Sequence, residues 1–369
     1  MKTCGIICEY NPFHYGHRYQ IEETKKKCDA DVMIGIMSGN FVQRGEPAII
    51  DKWTRAEAAV QNGLDVVIEL PFLYSIQAAS HFAHGGVHLL KLCHCDYISF
   101  GSECGNIENL QDIANTSINP DHLRQMMADG LSYPKAYSLL TSSMAPNDIL
   151  AVSYLKEIKD TDIKPVIIQR TGGYLDETIK ENASAMAIRK ALLANKDLCH
   201  STPMEEALCK YHVTMEQFYP YIRNFLILTP SSALSSFFLF SEGIENHLKE
   251  NAVKCETWNE FLNSTTTYRY TSSRIRRCLL SAMLQIKKEQ AASLSDPDTV
   301  RILAFNNNGR KWLSENKEQI KIASRFAKVP EEWRKIELQA TYLYTSVLSS
   351  DLRNRLLKEE IQGAHYLNI

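Results

Sequence analysis

The sequence predicts an α/β protein, with a mostly parallel sheet in its first 200 residues and a mostly α-helical remainder. Short apolar segments alternate with helix-length segments up to about residue 200, which is the pattern of βαβ units. From Ser201 to the end, helical patterns dominate and strand-like alternation nearly vanishes. The length of 369 residues agrees with two domains, 1–200 and 201–369, because a single core rarely grows to that size.

Each predicted element of the first domain has a local signal. The strands are short apolar runs that end at a turn or loop: Cys4–Cys8, Val32–Met37, Asp65–Leu70, Tyr97–Phe100 and Lys164–Gln169. Helical patterns cover Tyr15–Cys28, Trp53–Gln61 and Ile76–Leu92, and a longer helical insertion is expected over about residues 107–158. The junction near residue 200 is marked by Pro203, which suits the first turn of a new helix. Ligands of parallel sheets bind at the carboxyl ends of the strands, so the loops after these strands are the places to search.

Composition excludes several classes of protein. Lys and Arg total 41 against 43 Asp and Glu, a net charge of −2, which argues against a uniformly basic nucleic-acid coat but allows a local basic patch. No apolar run is long enough for a transmembrane helix, and the first residues lack the pattern of a signal peptide. Ten cysteines scattered along such a chain are expected to be free thiols in a reducing cytoplasm.

The loop after the first predicted strand carries the clearest chemical signal. It places His14 and His17 three residues apart at the start of a helix, with Gly16 between them. Residues at that spacing share one face of the first turn, and the helix N-terminus attracts anions through its unpaired N–H groups. Two imidazoles there can donate hydrogen bonds to phosphate oxygens and take up charge as a leaving group departs. The alternative is a pair of surface histidines at a helix cap, which the position after a first β-strand disfavours.

This loop resembles the H-x-G-H signature of the nucleotidyltransferase superfamily, whose fold is Rossmann-like. Five blocks of the chain resemble one branch of it, the bacterial tRNA(Met) cytidine acetate ligases, strongly over about residues 2–195 and more loosely beyond. The blocks are Glu9–His14 (EYNPFH), Met37–Ala48 (MSGNFVQRGEPA), Asp51–Ala56 (DKWTRA), Val67–Pro71 (VIELP) and Phe100–Glu103 (FGSE).

The resemblance implies a two-step reaction. Acetate attacks the α-phosphate of ATP to give acetyl-adenylate and diphosphate. The wobble cytidine of elongator tRNA(Met) then takes the acetyl group on its exocyclic amine as N4-acetylcytidine, and AMP leaves. ATP would be accompanied by magnesium (Mg2+), and no enzyme nucleophile is needed. The helical second domain would help to hold the tRNA, and the oligomeric state stays open.

The resemblance also implies particular residues. His14 and His17 would be catalytic, stabilising the transition state at the α-phosphate and the departing diphosphate. ATP contacts would be Ile7, Cys8, Glu9, Tyr10, Asn11, Pro12, Phe13, His14, Tyr15, Gly16, His17, Arg18, Tyr19, Gln20, Gly101, Asn147, Arg170 and Thr171. Arg170 could alternatively form a salt bridge at the end of its strand.

Two positions depart from the expected patterns. Asp148 stands where an asparagine is expected after Asn147, which adds a negative charge near a triphosphate unless the side chain points away. In the late motif that ends Ile188-Arg189, Met186 replaces a hydroxyl residue. Ser184 and Arg189 stay candidates for phosphate contacts, because a helix start can bind phosphate through its backbone.

Basic residues suggest where a tRNA could bind. Arg44, Lys52 and Arg55 lie in the glycine-containing block after the second strand and at the following helix start. Thr266–Gln290 holds six Lys or Arg residues and one Glu, a net charge of +5, with Tyr268 and Tyr270 interleaved. Cations and aromatics on one helix face suit RNA contacts, although a solvated basic face is the alternative. The tRNA-binding candidates of this segment are Arg269, Arg274, Arg276 and Arg277.

The histidines of the helix over 76–92 are interpreted structurally. His81, His84 and His88 lie at helical spacing, with Cys93 and Cys95 beyond them. The usual Cys-x-x-Cys spacing of a zinc site is missing, so no metal ligand is predicted.

Two other functions remain open on sequence alone. A small-molecule adenylyltransferase would carry the same H-x-G-H, but it would not need a long helical domain with a +5 segment. A non-catalytic RNA-binding protein with a decayed nucleotide site would account for Asp148 and Met186. Dependence of diphosphate release on acetate separates the first alternative from the ligase, and ATP binding tests the second.

Overall fold

The computed structural model describes residues 1–116, 120–129, 144–170 and 183–369. The predicted ATP contact Thr171 and part of the predicted insertion lie outside the described residues. The described parts of that insertion are helical, and its last helix begins with Pro146 at the first position, where the missing N–H costs nothing.

The described residues contain ten strands. They are β1 (Thr3–Cys8), β2 (Val32–Ser38), β3 (Phe41–Val42), β4 (Glu46–Pro47), β5 (Val66–Leu70), β6 (Tyr97–Ser102), β7 (Lys164–Gln169), β8 (Val300–Phe305), β9 (Ile322–Ala323) and β10 (His365–Tyr366). Eight of them form one sheet in the order β10-β8-β5-β2-β1-β6-β7, with β9 paired to β8, and β3 and β4 form a separate hairpin. All five predicted strands are confirmed, and they pair in parallel as β5-β2-β1-β6-β7.

Burial explains why these strands are apolar runs rather than alternating ones. Every residue of β2 and β5 is buried, because helices cover both faces of the sheet. Since β1, β2, β6 and β7 run in the same direction, the loops that follow them meet at one edge.

The described residues contain eighteen α-helices and one short 3-10 helix, Phe326–Lys328. The α-helices are Tyr15–Cys28, Lys52–Gln61, Phe72–Ser75, Ala79–Leu92, Ile107–Asn115, Pro120–Ala128, Pro146–Ile158, Ala185–Leu193, Glu205–Lys210, Met215–Leu228, Ser231–Leu234, Ile244–Lys254, Trp258–Thr265, Ser272–Met283, Lys288–Ser293, Asn307–Asn316, Glu331–Thr345 and Ser350–Ile361. None of these helices has both the length and the apolar character that a membrane span requires.

The C-terminal segment is mostly helical, as predicted, but it also returns to the sheet. Strand β8 pairs antiparallel with β5 and parallel with β10, so the sheet takes strands from beyond residue 200. The sequence analysis missed β8 because one isolated run, VRILAF, lacks the strand–helix alternation that marked the others. Residues 201–369 therefore complete the sheet in addition to forming a helical region beside it.

A buried network of charges joins this returning segment to the first part of the chain. Lys52 Nζ lies 2.6 Å from Glu69 Oε1 and 2.8 Å from Glu360 Oε2. Arg301 Nη1 lies 2.7 Å from Glu69 Oε2 and 2.7 Å from Glu360 Oε1. The four side chains belong to helix Lys52–Gln61, to β5, to β8 and to the last helix, so the network connects elements that are distant in sequence.

A fifth buried group, Glu337, lies beside this network. Its Oε1 accepts a hydrogen bond of 2.7 Å from the backbone N–H of Phe72. Burial and the charge of Glu69 raise the pKa of Glu337 to about 8, so the carboxyl is mostly protonated at neutral pH. Two cations then face two carboxylates, and the buried cluster is close to electrically neutral.

We predict that Glu360→Ala destabilises the protein strongly, because it leaves Lys52 and Arg301 buried with one carboxylate. Removing one member of a buried ion pair typically costs about 3–5 kcal/mol of unfolding free energy. Urea denaturation of the variant measures the loss. The adjacent Glu359→Ala is the control: Glu359 is only partly buried, 3.7 Å from Arg355, and should change stability by less than about 1 kcal/mol. Equal effects of the two substitutions would contradict the assignment.

Candidate active site

The loop after β1 holds both predicted histidines at the N-terminus of helix Tyr15–Cys28. His14 is the N-cap residue, and its Nδ1 accepts a hydrogen bond of 3.0 Å from the N–H of Gly16. The Nδ1 of His17 accepts one of 3.3 Å from the N–H of His14. The two ring centres are 3.8 Å apart. This reciprocal cap fixes both imidazoles side by side at the helix start.

Burial, nearby charges and the hydrogen bonds of the helix cap together determine the protonation of the two imidazole rings. Burial, together with the positive charges of Arg170 and Arg189, lowers the pKa of His14 to about 3. Burial, followed by the charges of His14 and Arg170, lowers the pKa of His17 well below its ordinary value. Both rings are therefore neutral at pH 7, and since Nδ1 accepts in each, the proton resides on Nε2. The pair can donate hydrogen bonds to an anion through the two Nε2–H groups.

The histidines line a cavity of about 240 Å³ at the carboxyl edge of the sheet. The predicted residues that line it are Ile7, Cys8, Glu9, Tyr10, Asn11, His14, His17, Gln20, Arg44, Gly101, Asn147, Arg170, Ser184 and Arg189. The structure thus brings together side chains from the loops after β1, β2, β6 and β7.

Several residues of the predicted nucleotide-binding stretch are not among the described residues that line this cavity. They are Pro12, Phe13, Tyr15, Gly16, Arg18 and Tyr19. Phe13 is buried in the core, whereas Arg18 and Tyr19 are exposed on the outer face of their helix. Gly16 has a role inside the loop, because a Cβ there would lie 2.7 Å from Cε1 of His14. Side chains project from all sides of a helix, so only some residues of a contiguous stretch that includes a helix can face the cavity.

Two arginines supply positive charge to the cavity. Arg170 follows β7, and its Nε is buried without a hydrogen-bond acceptor among the described residues. Arg189 Nη1 donates to the carbonyl oxygen of Asn11 at 2.5 Å, and its other donors have no acceptor among the described residues. A buried guanidinium donor without an acceptor fits a site that is completed by an anion.

The two departures from the expected motifs have structural explanations. Asp148 points away from the cavity: its Oδ1 accepts from the hydroxyl of Ser102 and from the N–H of Glu103, and its Oδ2 from the N–H of Cys104. The extra carboxylate therefore supports the loop after β6. Met186 does line the cavity, beside Ser184, the N-cap residue of helix Ala185–Leu193. The backbone of that helix start still faces the site, so a phosphate could bind there without the hydroxyl.

The structure corrects the assignment of Lys52 and Arg55 to tRNA binding. Their exposed fractions are 1% and 0%, so neither cation can reach a tRNA in this conformation. Lys52 belongs to the buried charge network. Arg55 donates to the carbonyl oxygens of Glu9 at 2.6 Å, Ser38 at 3.1 Å and Ile50 at 3.0 Å, and also to that of Gly39. It holds the loops after β1 and β2 against each other.

The four candidate arginines of the basic segment Thr266–Gln290 form two pairs that contact different parts of the molecule. Arg269 and Arg274 both lie near Glu242, at 3.5 Å and 2.8 Å, and the side chain of Arg269 is 58% exposed. Arg276 and Arg277 instead face the segment between β2 and helix Lys52–Gln61 (residues 39–51), here called the cavity loop. Arg276 Nη1 lies 3.1 Å from Glu46 Oε1, and Arg277 Nε donates to the carbonyl oxygen of Gln43 at 2.7 Å. The prediction that all four arginines form one tRNA surface is therefore wrong for this inward-facing pair.

Gly45 allows the close contact between the cavity loop and helix Ser272–Met283. Its φ of +74° is in the left-handed region, and a Cβ would lie 2.6 Å from Arg277 N and 2.8 Å from Arg276 Cβ. The hairpin of β3 and β4 thus packs directly on the helix backbone.

Sequence reasoning missed part of the cavity wall. The missed residues are Val42, Gln43, Glu46, Phe82, Phe100, Pro146, Leu150, Tyr154, Ala185 and Met186. Val42, Gln43, Glu46 and Phe100 lie within blocks of the family resemblance, which could have identified them. Phe82 and Tyr154 have no local signal, because only packing of their helices brings them to the site.

The histidines of helix Ala79–Leu92 lie elsewhere. His84 Nδ1 is 3.0 Å from Glu157 Oε2, its Nε2 is 3.1 Å from Asp296 Oδ2, and His88 Nε2 is 2.8 Å from the carbonyl oxygen of Pro297. Among the described residues, no group of three or more His, Cys, Asp or Glu could hold a metal ion. These contacts join the helix to helix Pro146–Ile158 and to the segment before β8.

Comparison with known proteins gives consistent results. The model of the HIGH Nucleotidyl Transferase family matches residues 1–360. The chain is 34% identical to a tRNA(Met) cytidine acetate ligase of Geobacillus sp. (strain WCH70), over 98% of each chain. It is 38% identical to a protein of the same name from Limosilactobacillus reuteri (strain DSM 20016), over 93% of this chain and 94% of that one.

Solved structures resemble the whole chain. Apo TmcAL of Thermotoga maritima superposes with a TM-score of 0.89 at 27% identity, over 100% of both chains. The same Thermotoga maritima protein bound with alpha-thio ATP gives a TM-score of 0.89 at 28% identity, over 99% of this chain and 100% of that chain.

We predict that Gly45→Ala destabilises the protein by at least about 2 kcal/mol, because a left-handed backbone penalty is added to overpacking against the helix. Gly243→Ala is a matched control. Its φ is +76°, but a Cβ there meets nothing within 4 Å, so only the backbone penalty of about 1 kcal/mol applies. Urea denaturation of both variants measures the difference, and equal losses would exclude a steric role for Gly45.

Proposed function

The chain belongs to the HIGH nucleotidyl transferase family, and within it to the tRNA(Met) cytidine acetate ligases; from that premise we propose that it acetylates the wobble cytidine of elongator tRNA(Met). ATP and acetate first form acetyl-adenylate and diphosphate. The exocyclic amine of the cytidine then takes the acetyl group, giving N4-acetylcytidine and AMP. The observation that carries this proposal is the cavity itself. It combines a neutral histidine pair with the buried Nε of Arg170, for which the described residues supply no acceptor.

In the first step, an oxygen of acetate attacks the α-phosphorus and the bond to the β-phosphate breaks. Charge grows on the phosphate oxygens as diphosphate leaves, so donors positioned beforehand lower the barrier. His14 and His17 can provide these donors through Nε2–H, because their Nδ1 atoms are engaged in the helix cap. Their lowered pKa values keep the donors neutral, and the permanent charge comes from Arg170 and Arg189.

Two helix N-termini support the phosphates. Helices Tyr15–Cys28 and Ala185–Leu193 both begin at the cavity wall. Their first N–H groups and dipoles favour negative charge there. Gly101 and Asn147, on the side of β6 and β7, are suited to contact the nucleoside.

Magnesium would accompany ATP in this site. The described residues hold no cluster of metal ligands, so the ion would be held mainly by phosphate oxygens and water. Its contribution would be to neutralise charge on the leaving diphosphate.

In the second step, the amine of cytosine is a weak nucleophile because its lone pair is delocalised into the ring. An acyl phosphate is activated enough to react with it, so the reaction needs no enzyme nucleophile. We expect the reaction to take place in the cytoplasm, where the tRNA substrate is found.

The tRNA would approach over the outward part of the basic segment. Tyr268 is 56% exposed, and Arg269 projects beside it. Arg274 is partly exposed and lies 5.2 Å from the ring of Tyr270. Arg44 is exposed at the rim of the nucleotide cavity. An arginine and a tyrosine side by side can contact phosphate and stack on a base.

The function is tested with the purified protein, ATP, labelled acetate and elongator tRNA(Met). We expect labelled N4-acetylcytidine in the digested tRNA and acetate-dependent exchange of diphosphate into ATP. Exchange that instead requires a phosphorylated small acceptor would favour a small-molecule adenylyltransferase. Binding of tRNA without any binding of ATP would favour a non-catalytic protein.

We predict that His14→Asn and His17→Ala each reduce acetate-dependent exchange by about 10²–10³-fold, the usual effect of losing one transition-state donor. Asparagine at position 14 keeps a good N-cap, so the helix start is preserved. The affinity for tRNA should stay close to that of the wild type in a filter-binding assay. Normal exchange in both variants would exclude the histidine mechanism.

We predict that Arg269→Ala weakens tRNA binding at every salt concentration and lowers the salt slope by about one, as expected for one lost phosphate contact. Acetate-dependent exchange in the absence of tRNA should not change. Lys335→Ala serves as the control, because it removes an exposed charge from another helix, where Lys335 pairs with Glu331 at 2.6 Å. An equal loss in both variants would indicate unspecific attraction and remove Arg269 from the tRNA surface.

A further inference from the structure

The nucleotide cavity has two chemically different sides. On the side of β6 and β7 lie Gly101, Asn147 and Arg170, which suit the nucleotide. On the opposite side, the loop after β2 contributes Val42, Gln43, Arg44 and Glu46. Strand β1 runs between β2 and β6 in the sheet, so the residues at its end stand between the two sides.

Glu9 is the first residue after β1, and it faces the side of the β2 loop. Its Oε1 accepts a hydrogen bond of 2.7 Å from the N–H of Gln43. Its carbonyl oxygen accepts one of 2.6 Å from Arg55 Nη1. Both backbone and side chain are therefore fixed, with the carboxyl group at the cavity wall.

Gln43, which hydrogen-bonds to Glu9, is also hydrogen-bonded to the C-terminal region. The carbonyl oxygen of Gln43 accepts from Arg277 Nε at 2.7 Å, while its N–H donates to Glu9. One residue thus links the basic helix to the carboxyl group, so Gln43 and Arg277 are positioning residues for Glu9.

The other carboxylates at the cavity wall have side-chain partners. Glu46 lies 3.1 Å from Arg276, and beside the cavity Glu103 accepts from Asn147 Nδ2 at 2.5 Å. No described cation lies within salt-bridge distance of Glu9, and no described residue donates a hydrogen bond to its second oxygen, Oε2. The resemblance places Glu9 among the ATP contacts, but the first step as proposed above gives its carboxyl group no chemical role.

The second step does need a proton acceptor. When the amine of cytosine attacks the acetyl carbon, a C–N bond forms and the C–O bond to AMP breaks. The nitrogen must lose one proton to become an amide, and AMP leaves with the electron pair of the broken bond. A carboxylate can accept that proton once the attack has made the nitrogen acidic.

We propose that Glu9 is the general base of acetyl transfer, taking the proton from the cytidine amine through its open carboxylate oxygen. The proposal rests on the proposed function, since it assigns a residue to the second step. It implies that the acetyl group and the cytidine meet on the β2 side of the cavity. Burial raises the pKa of Glu9 above its ordinary value, which makes the carboxylate a stronger base than an exposed one.

The test separates the two steps in the full-length protein with the variant Glu9→Gln. Glutamine has the same shape and can still accept from the N–H of Gln43, but it cannot take a proton. We expect single-turnover transfer to elongator tRNA(Met) to slow by about 10²-fold or more beyond any change in acetate-dependent exchange of diphosphate into ATP. In the wild type the transfer rate should rise with pH through the ionisation of Glu9, and this rise should be absent in Glu9→Gln.

Two further variants complete the design. Glu9→Asp keeps a carboxylate and should restore part of the transfer rate. Glu23→Gln makes the same chemical change on an outward helix face, where Glu23 pairs with Lys26 at 2.8 Å, and should leave both steps unchanged. Thermal melting of each variant identifies any loss of folded protein.

The possible results separate a failure of the Glu9 proposal from a failure of the proposed function. Equal losses of exchange and transfer in Glu9→Gln would indicate a role in ATP binding and overturn the proposal. Transfer at the wild-type rate, with its pH profile intact, would also overturn it. If the wild-type protein forms no N4-acetylcytidine, the proposed function itself fails, whatever the variants do.

Discussion

Lys52 and Arg301, held between Glu69 and Glu360, form the contact on which the rest of the molecule depends. Buried ions are expensive unless each meets a partner, so these four side chains require one another. Their ion pairs fix β8 and the last helix, both from the C-terminal segment, to β5 and helix Lys52–Gln61. The network also reaches the loop after β2, because a Cβ on Gly39 would lie 2.7 Å from Glu69 Oε1. The loop after β2 is thus built on the network.

Helix Lys52–Gln61 connects the charge network to the cavity. Arg55, three residues after Lys52, binds backbone carbonyls of the loops after β1 and β2. The same loops present Glu9 and Gln43 at the cavity wall. Basic residues that look like RNA contacts in the sequence therefore serve the geometry of the site. A buried guanidinium with several carbonyl acceptors is a rigid brace, since its donors have fixed directions.

Helix Ser272–Met283 and the residues just before it carry arginines that point in different directions. Arg276 and Arg277 contact Glu46 and Gln43 in the cavity loop, whereas the preceding Arg269 is exposed. In the proposed arrangement, a tRNA held by the outward arginines would lie across helix Ser272–Met283 from the loop that lines the nucleotide cavity. Such an arrangement suits a reaction in which a large substrate must meet an intermediate that water can destroy.

The sequence by itself determined the five parallel strands, the pair His14 and His17 at a helix start, and most of the loops that form the site. These features depend on local patterns: apolar runs, turn residues and a short motif. Only the tertiary structure decided that β8 joins the sheet, that Lys52 and Arg55 are buried, and that Asp148 turns away from the cavity. Residue type is visible in a sequence, but burial and the direction of a side chain depend on partners tens to hundreds of residues away.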